Sequence, residues 1–289
     1  MHEILSPHVA ELVVAGIGAQ RSYGPKSDKR DAFALAEALR VGAIETRVHK
    51  GLGQYKLLRQ LARAHRQVVG DGVRVQGRLE AIYRSWGVPT AGTAIYGTRR
   101  DEWMSQMDKA VRPALALLYD EYDRLQDVRH RAHEELVAES HRHGIARRLE
   151  TAPGMGPIRV AQAVAVIVTP HRFRTARQLW SYSGLGLVMR SSSDYKRDGD
   201  PWVWAKVARP RGLNRNPNRM LKSIFKGAAT TVIAQHRARP LGQHYDRIVA
   251  AGTKPNLARV TLARKIAAIV LAMWKSEEVY DPSKHRVHT

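Results

Sequence analysis

Apolar positions recur along the chain at two different periods, and glycines and prolines break the runs into elements. "ELVVAGI", Glu11 to Ile17, is rich in β-branched residues and closes on glycine, so it is expected as a short buried strand. Ser27 then stands where a helix N-cap belongs, with Asp28 in the first turn, where the helix dipole favours an acid. Two overlapping sets, Phe33–Ala36–Leu39 and Ala32–Leu35–Leu39, carry helical spacing on to Val41. A single strand cannot form a sheet, so this α/β opening needs a pairing partner that the sequence does not display.

From Leu58 the spacing changes to a three-four alternation: Leu58, Leu61, His65, Val68, Gly72, Val75, Leu79 and Ile82. That is the spacing of a coiled-coil seam, with His65 and Gly72 as flaws in it. "GVPTAGTAIYG", Gly87 to Gly97, breaks the helix, and a second seam follows at Val111, Leu115, Leu118, Tyr122, Leu125, Arg129, Ala132 and Leu136. Two such helices joined by a loop fit an antiparallel hairpin that could serve as a dimerisation arm. A helical bundle within one chain asks for the same pattern, so both arrangements stay open.

A third region begins near Leu149. In "LETAPGMGPIRVAQAVAVIV", Gly154, Gly156 and Pro157 make a tight turn ahead of an apolar helix, as in helix-hairpin-helix modules, where glycine amides meet a phosphate. A plain turn before a core helix would read the same, although Arg147, Arg148 and Arg159 nearby favour an anion. Two later stripes read as core: Met220, Leu221, Ile224, Phe225, Ala228, Val232 and Ile233, then Leu262, Ile266, Ile269, Val270 and Met273.

Charge alters the picture more than composition does. The 289 residues are 44% apolar, enough for real cores, but 48 Lys and Arg stand against 26 acids, a net charge of +22. Such an excess is the electrostatic footprint of a nucleic-acid binder. Between Asp200 and Asp246 there is no acid, and nine cations occur: Lys206, Arg209, Arg211, Arg215, Arg219, Lys222, Lys226, Arg237 and Arg239. Trp202 and Trp204 stand at the head of this run and Asn214, Asn216 and Asn218 lie within it. Cations for phosphates, rings for stacking and amides for base edges together make a nucleic-acid surface, whereas an ordinary solvated face mixes its signs. The absence of cysteine excludes disulfides, thiolate metal sites and cysteine nucleophiles. No apolar stretch reaches the roughly 18 to 20 residues of a membrane span, and the N-terminus lacks a signal-peptide pattern. A cytoplasmic, nucleoid-associated protein without membrane contact is therefore expected.

Two constellations could carry chemistry. Asp28 and Asp31, three apart on one helix face, could both reach a hard cation such as Mg²⁺, and phosphoryl-transfer sites use acids in this way. Helix-start chemistry with a salt bridge to Lys29 or Arg30 explains the same letters. The serines of "YSGLGLVMRSSSDYKRDGD", Tyr182 to Asp200, could offer a nucleophilic hydroxyl, and could equally be solvated loop residues. His141 and His143 lie two apart and face different ways, and nothing resembles a zinc signature.

The order of these features is itself informative: "KSDKRDA" (Lys26 to Ala32), long helices, "PGMGP", "FRTARQLWSYSGL" (Phe173 to Leu185), and a serine cluster. It resembles the DEDD-type insertion-sequence transposases of the IS110 family, bridge-RNA-guided recombinases. "RGLNRNPNRMLKSIFKGAA" and "YDRIVAAGTKPNLARVTLARKIAAIVLAMWK" resemble that family's C-terminal domain, and the likeness runs from about Glu11 to Lys275.

The resemblance implies a fold class and a division of the chain. Residues 1–52 would be the α/β remnant of an RNase-H-like (RuvC-type) domain, 53–147 a long-helix coiled-coil region, and 148–289 a mainly α-helical transposase domain with a helix-hairpin-helix-like turn. It implies four acids holding divalent metal, of which Asp28 and Asp31 match the last two. It implies a serine that becomes covalently joined to DNA, best matched by Ser192, with Ser191 or Ser193 as the equivalent if the loop is shifted by one. The family's first two acids lie on strands upstream of Glu11–Ile17. Glu3 and Glu11 do not sit where that pattern expects, so an N-terminally truncated member is expected. The residues expected to meet nucleic acid are Gly154, Gly156, Arg159, Lys206, Arg209, Arg211, Arg215, Arg219, Lys222 and Lys226. DNA, a structured guide RNA and further copies of the chain are the expected partners. Two rival functions remain: a nucleic-acid-binding relic without catalysis, and a junction nuclease that uses metal-bound water and no covalent serine.

Overall fold

A computed structural model of the chain describes residues 2–14, 27–44, 53–90, 94–189, 195–197, 202–204, 210–214 and 217–284. The described residues are mostly helical and fall into two units, Met1–Gly53 and Gln54–Thr289.

In the first unit, α1 (His2–Leu5) runs into a 3₁₀ turn, Ser6–His8, and α2 spans Asp28–Arg40. Ser27 is extended and its Oγ accepts a hydrogen bond from the Arg30 N–H at 3.3 Å, as the N-cap reading expects. The helix stops where Gly42 takes φ +70° and Ala43 N–H bonds back to the Ala38 carbonyl, a glycine C-cap. No residue of α2 is buried, and Phe33 is 74% exposed. The expected strand at Glu11–Ile17 is absent where it can be followed. Residues 11–14 form none, and 15–17 lie outside the described part. The physical reason is the missing partner: no other strand is found among the described residues of this unit.

The second unit opens with the two long helices. α3 (Lys56–Ser85) is followed by the short α4 (Arg100–Ser105) and then by α5 (Arg112–His141). They pack antiparallel within the chain. The rings of His65 and His133 lie 6.2 Å apart, Gln76 Nε2 donates to Tyr122 Oη at 3.3 Å, and the Tyr83 and Tyr119 hydroxyls meet at 3.0 Å. Of the expected α3 seam, Leu58, His65, Gly72, Val75 and Leu79 are buried, so the two apparent flaws belong to it. Ala62 and Tyr83, which the alternation passes over, are buried as well, because α3 must also face other elements at each end. Arg129 of the second seam is exposed. α3 ends in a Schellman motif: Gly87 N–H bonds to the Arg84 carbonyl and Val88 N–H to the Tyr83 carbonyl.

Beyond the arm come α6 (Gly144–Glu150), α7 (Pro157–Ile167) and α8 (Ala176–Tyr182), then α9 (Arg219–Gln235), α10 (Pro240–Ala250) and α11 (Pro255–Ser276). α7 buries Val160, Ala161, Ala163, Val164, Ala165 and Ile167, apolar on nearly every side, and so it is the central helix, packed by α3, α5, α6 and α9. Both expected core stripes are observed. Leu221, Ile224, Phe225, Ala228 and Val232 of α9 are buried, with Met220 and Ile233 packed at the edge, and all five α11 positions are buried.

Two short antiparallel pairs, unexpected from the sequence, lie between α8 and α9. β1 (Leu187–Met189) pairs with β4 (Pro210–Leu213), Leu187 opposite Leu213, and β2 (Tyr195–Arg197) pairs with β3 (Trp202–Trp204), Tyr195 opposite Trp204. At three or four residues each, LVM, YKR, WVW and PRGL are too short to show a two-residue alternation, so the pattern that announces a half-buried strand is missing.

Candidate nucleic-acid interface

The "PGMGP" turn joins α6 to α7, and its two glycines serve different ends. Gly154 has φ +77°, and a Cβ there would lie 2.3 Å from the Ala228 carbonyl oxygen of α9. Its missing side chain is what lets the turn press against α9. Gly156, at the N-cap of α7, has an ordinary φ of −72° and open space where a side chain would project. Arg159 closes the turn from within α7, its Nη1 donating to the Gly154 carbonyl at 2.8 Å. Burial pulls the Arg159 pKa below the ordinary arginine value, and among the described residues no carboxylate pairs with it. A guanidinium nonetheless stays protonated at neutral pH.

Arg159 stands in a cleft of about 370 Å³ between α3, α7 and α9. Its polar wall consists of His65 and Arg66 from α3, Arg159 and Gln162 from α7, and Arg219 and Ser223 from α9. None of these is an acid. Gly227 supplies the room: a Cβ there would sit 3.2 Å from Arg159 Nε. His65 is pushed below its ordinary 6.5, first by burial and then by His133 and Arg129, so it stands neutral at physiological pH. Gln162 Nε2 and His65 Nδ1 lie 3.5 Å apart across the cleft wall.

The rim is set by the start of α9. Asn218 caps this helix, its Oδ1 accepting from the Leu221 N–H at 3.1 Å, while its own N–H donates to the Tyr182 carbonyl at 2.8 Å. Arg219, Lys222 and Lys226 follow at three- and four-residue spacing and so share one face of α9. Among the described cations of the acid-free run, Arg237 forms a two-pronged pair with Asp246 at 2.8 and 3.0 Å. Of the expected contact residues, the structure thus gathers Gly154, Gly156, Arg159, Arg219, Lys222 and Lys226 around the α7 turn and α9. Lys206, Arg209, Arg215 and Ser191–Ser193 lie outside the described residues, and of Arg211 only the backbone, in β4, is described. Asp28 and Asp31 occupy the first turn of α2 in the other unit. Among the described residues no group of three or more His, Asp or Glu could hold a metal ion.

Sequence reasoning missed Arg66, Gln162 and Ser223. One signal could have revealed the first: positions 46–70 contain no acid, one of several such runs in the chain.

An acid-free, cation-walled cleft on a helical core is chemistry suited to a polyanion. Comparison with known proteins finds a likeness over part of the chain. Residues 146–246, from α6 into α10, match the model of the Transposase IS116/IS110/IS902 family. The chain is also similar to an insertion element IS116 uncharacterized 44.8 kDa protein from Streptomyces clavuligerus, with 29% identity over 138 residues, 48% of this chain and 31% of that protein. The chain therefore spans less than a third of the length of that curated relative. No described helix is long and apolar enough to cross a membrane.

Proposed function

We propose that this chain acts on DNA as a transposase or site-specific recombinase, with α7, α9 and the cleft between them gripping phosphates. The observation that carries the reading is a coincidence of place. The stretch that matches the transposase family contains the α7 turn and most of the cationic cleft, where Arg159 is half-buried and, among the described residues, without a carboxylate partner.

In this reading the Ser192 hydroxyl attacks a DNA phosphorus. An Oγ–P ester forms as one strand P–O ester breaks, and the released DNA hydroxyl takes up a proton. Because one phosphodiester replaces another, the strand can be rejoined by the reverse attack of a DNA hydroxyl. Arg159, Arg219, Lys222 and Lys226 would hold and orient the backbone through charge-assisted hydrogen bonds. Lys206, Arg209, Arg211 and Arg215 belong to the same proposed surface.

Asp28 and Asp31 are proposed as metal-facing acids of an RNase-H-like domain. Two carboxylates from one helix do not by themselves complete a cation's coordination shell. A structured RNA and self-association through the α3–α5 arm are further proposals that follow from the family likeness.

The test is covalent trapping of labelled DNA on the purified chain, with and without Mg²⁺. The expected result is a protein–DNA adduct that Ser192→Ala abolishes. An undiminished adduct in Ser192→Ala would overturn the serine assignment. Cleavage that survives Ser192→Ala and fails on Asp28→Asn would make the chain a metal-dependent nuclease. DNA binding with neither adduct nor cleavage would make it a non-catalytic binder.

A further inference from the structure

α3 carries two kinds of arginine, divided near its middle. In the distal half each described arginine has an acid: Arg74 pairs with Asp71, Arg78 with Glu121 at 3.4 Å, and Arg84 with Glu80. In the proximal half, Arg59, Arg63 and Arg66 recur at four- and three-residue spacing, which puts them on one face beside the buried Leu58, Ala62 and His65. Among the described residues no carboxylate lies in ion-pair range of any of the three. Arg63 and Arg66 are exposed and Arg59 is half-buried.

Each end of this stripe meets a further cation from another element. At the Arg66 end stands the cleft with Arg159 and Arg219. At the Arg59 end stands Arg172, from the 3₁₀ turn Pro170–Arg172. Burial, and then the like charges of Arg63 and Arg172 against the opposing effect of Tyr182, depress the Arg59 pKa, so Arg59 feels both neighbouring guanidiniums. Arg172 is fixed firmly. Its Nη1 donates to the Ile167 carbonyl at 3.1 Å, and its guanidinium lies 5.3 and 5.2 Å from the ring centres of Phe173 and Tyr182. The same carbonyl accepts the Thr169 N–H at 2.8 Å around Val168, a β-branched residue at φ +66°. A backbone shape this unfavourable for valine persists only because its surroundings impose it.

Like charges held together in this way cost stability unless a polyanion covers them. We propose that Arg59, Arg63 and Arg66, with Arg172 at one end and Arg159 and Arg219 at the other, form a track for one phosphodiester backbone of a nucleic acid. The stripe from Arg59 to Arg66 extends about 10 Å at roughly 1.5 Å per helical residue. That length matches about three phosphates at roughly 3.4 Å of axial rise per strand. The α3 stripe and its flanking arginines offer cations and no base-reading amide, so the track reads backbone and carries no base preference. Its three α3 arginines lie outside the segment that matches the transposase family, while Arg159, Arg172 and Arg219 lie within it, and the track rests on the reading that this chain acts on nucleic acid.

The experiment uses the full chain and measures binding by fluorescence anisotropy across a salt series of about 50 to 200 mM. The probes are a duplex DNA, a single-stranded DNA and an RNA hairpin of unrelated sequences. The test variant is Arg59→Gln/Arg63→Gln/Arg66→Gln. The control, Arg74→Gln/Arg78→Gln/Arg84→Gln, removes the same charge from the same helix. Loss of three phosphate contacts is expected to flatten the slope of log K against log salt by about 2 to 3, and to weaken binding about a hundredfold near 0.1 M salt. The control is expected to change the slope by less than about 1. The probe on which the test variant loses most identifies which nucleic acid lies on the track. Equal losses in both variants, or an unchanged slope in the test variant, would overturn the track while leaving DNA binding by the transposase segment intact. A wild-type chain that binds none of the three probes would overturn both readings.

Discussion

Replacing Gly154 with alanine separates packing from phosphate binding in the "PGMGP" turn. The residue sits at φ +77°, where an L side chain costs about 1 to 2 kcal/mol. The new methyl would also lie 2.3 Å from the Ala228 carbonyl oxygen and 2.9 Å from the carbonyl carbon. Those are helix backbone atoms that cannot rotate aside, so α9 must retreat by about an ångström, and overpacking of this kind costs about 1 to 3 kcal/mol. Together the two effects come to about 2 to 5 kcal/mol, a large share of a typical stability of about 5 to 15 kcal/mol. At about 2 to 4 °C per kcal/mol for a domain of this size, Tm should fall by about 10 °C. Gly156→Ala is the contrast. Its φ is ordinary and nothing lies within 4 Å, so it should cost less than about 1 kcal/mol. Thermal and urea unfolding of the two variants decide the matter. A Gly154→Ala protein within about 0.5 kcal/mol of wild type, or a larger loss in Gly156→Ala, would refute the packing argument.

Two further predictions concern the arm. The Tyr119 hydroxyl is buried, donates to the Ile95 carbonyl at 2.8 Å and meets the Tyr83 hydroxyl at 3.0 Å, so Tyr119→Phe should strand both partners and cost about 1 to 3 kcal/mol in urea unfolding. A cost below about 0.5 kcal/mol would show the tip to be open to water. His65 has a folded pKa below its ordinary 6.5, so the unfolded chain takes the proton first; this contribution to stability is complete above that value and declines as pH falls from there towards the folded pKa. Tm should therefore drop more between about pH 7.5 and 5 in the wild type than in His65→Gln, and parallel curves would refute the assignment.

How far the sequence disclosed this structure depended on how far apart the interacting residues lie. The N-cap at Ser27, the arm helices and the stripes on α9 and α11 rest on spacings within one helix, and those spacings survive in any packing. The expected strand at Glu11–Ile17 rested on composition alone, and β-branched residues make a strand only when another segment pairs with them. The site was half legible. Arg159, Arg219, Lys222 and Lys226 stood out through the acid-free run and the glycine turn. Arg66 lies 93 positions before Arg159 in the sequence, and only the fold brings it to the same cleft. The rise of α9 against the turn, through Gly154 and Ala228, was equally unreadable, because a glycine in a turn looks the same whether it serves curvature, a ligand or a neighbouring helix.

His65 and Gly72 looked like defects when the α3 seam was judged as a uniform coiled coil, and their burial gives them a different meaning. Among the described residues the second unit has two separate apolar clusters. One is built on α7, α9 and α11 and takes in Leu58, Ala62 and Leu136 at the base of the arm. The other, around Val75, Leu79, Tyr83, Leu115 and Tyr119, lies at its far end. Between them the seam is made of His65 facing His133, and of Gly72 beside Gln126, whose Nε2 would lie 3.9 Å from an added Cβ. Such a polar stretch contributes little apolar burial, so the tip cluster has to hold the far end of the hairpin by its own contacts. The same stretch adjoins the cationic cleft, since His65 belongs to both. An apolar residue at His65 would strengthen the seam, and it would also remove a hydrogen-bonding group from a wall that otherwise offers arginine and glutamine to a phosphate. The weak point of the arm and the polar wall of the cleft are therefore one feature, and the stability forgone in the seam keeps the cleft polar along its α3 side.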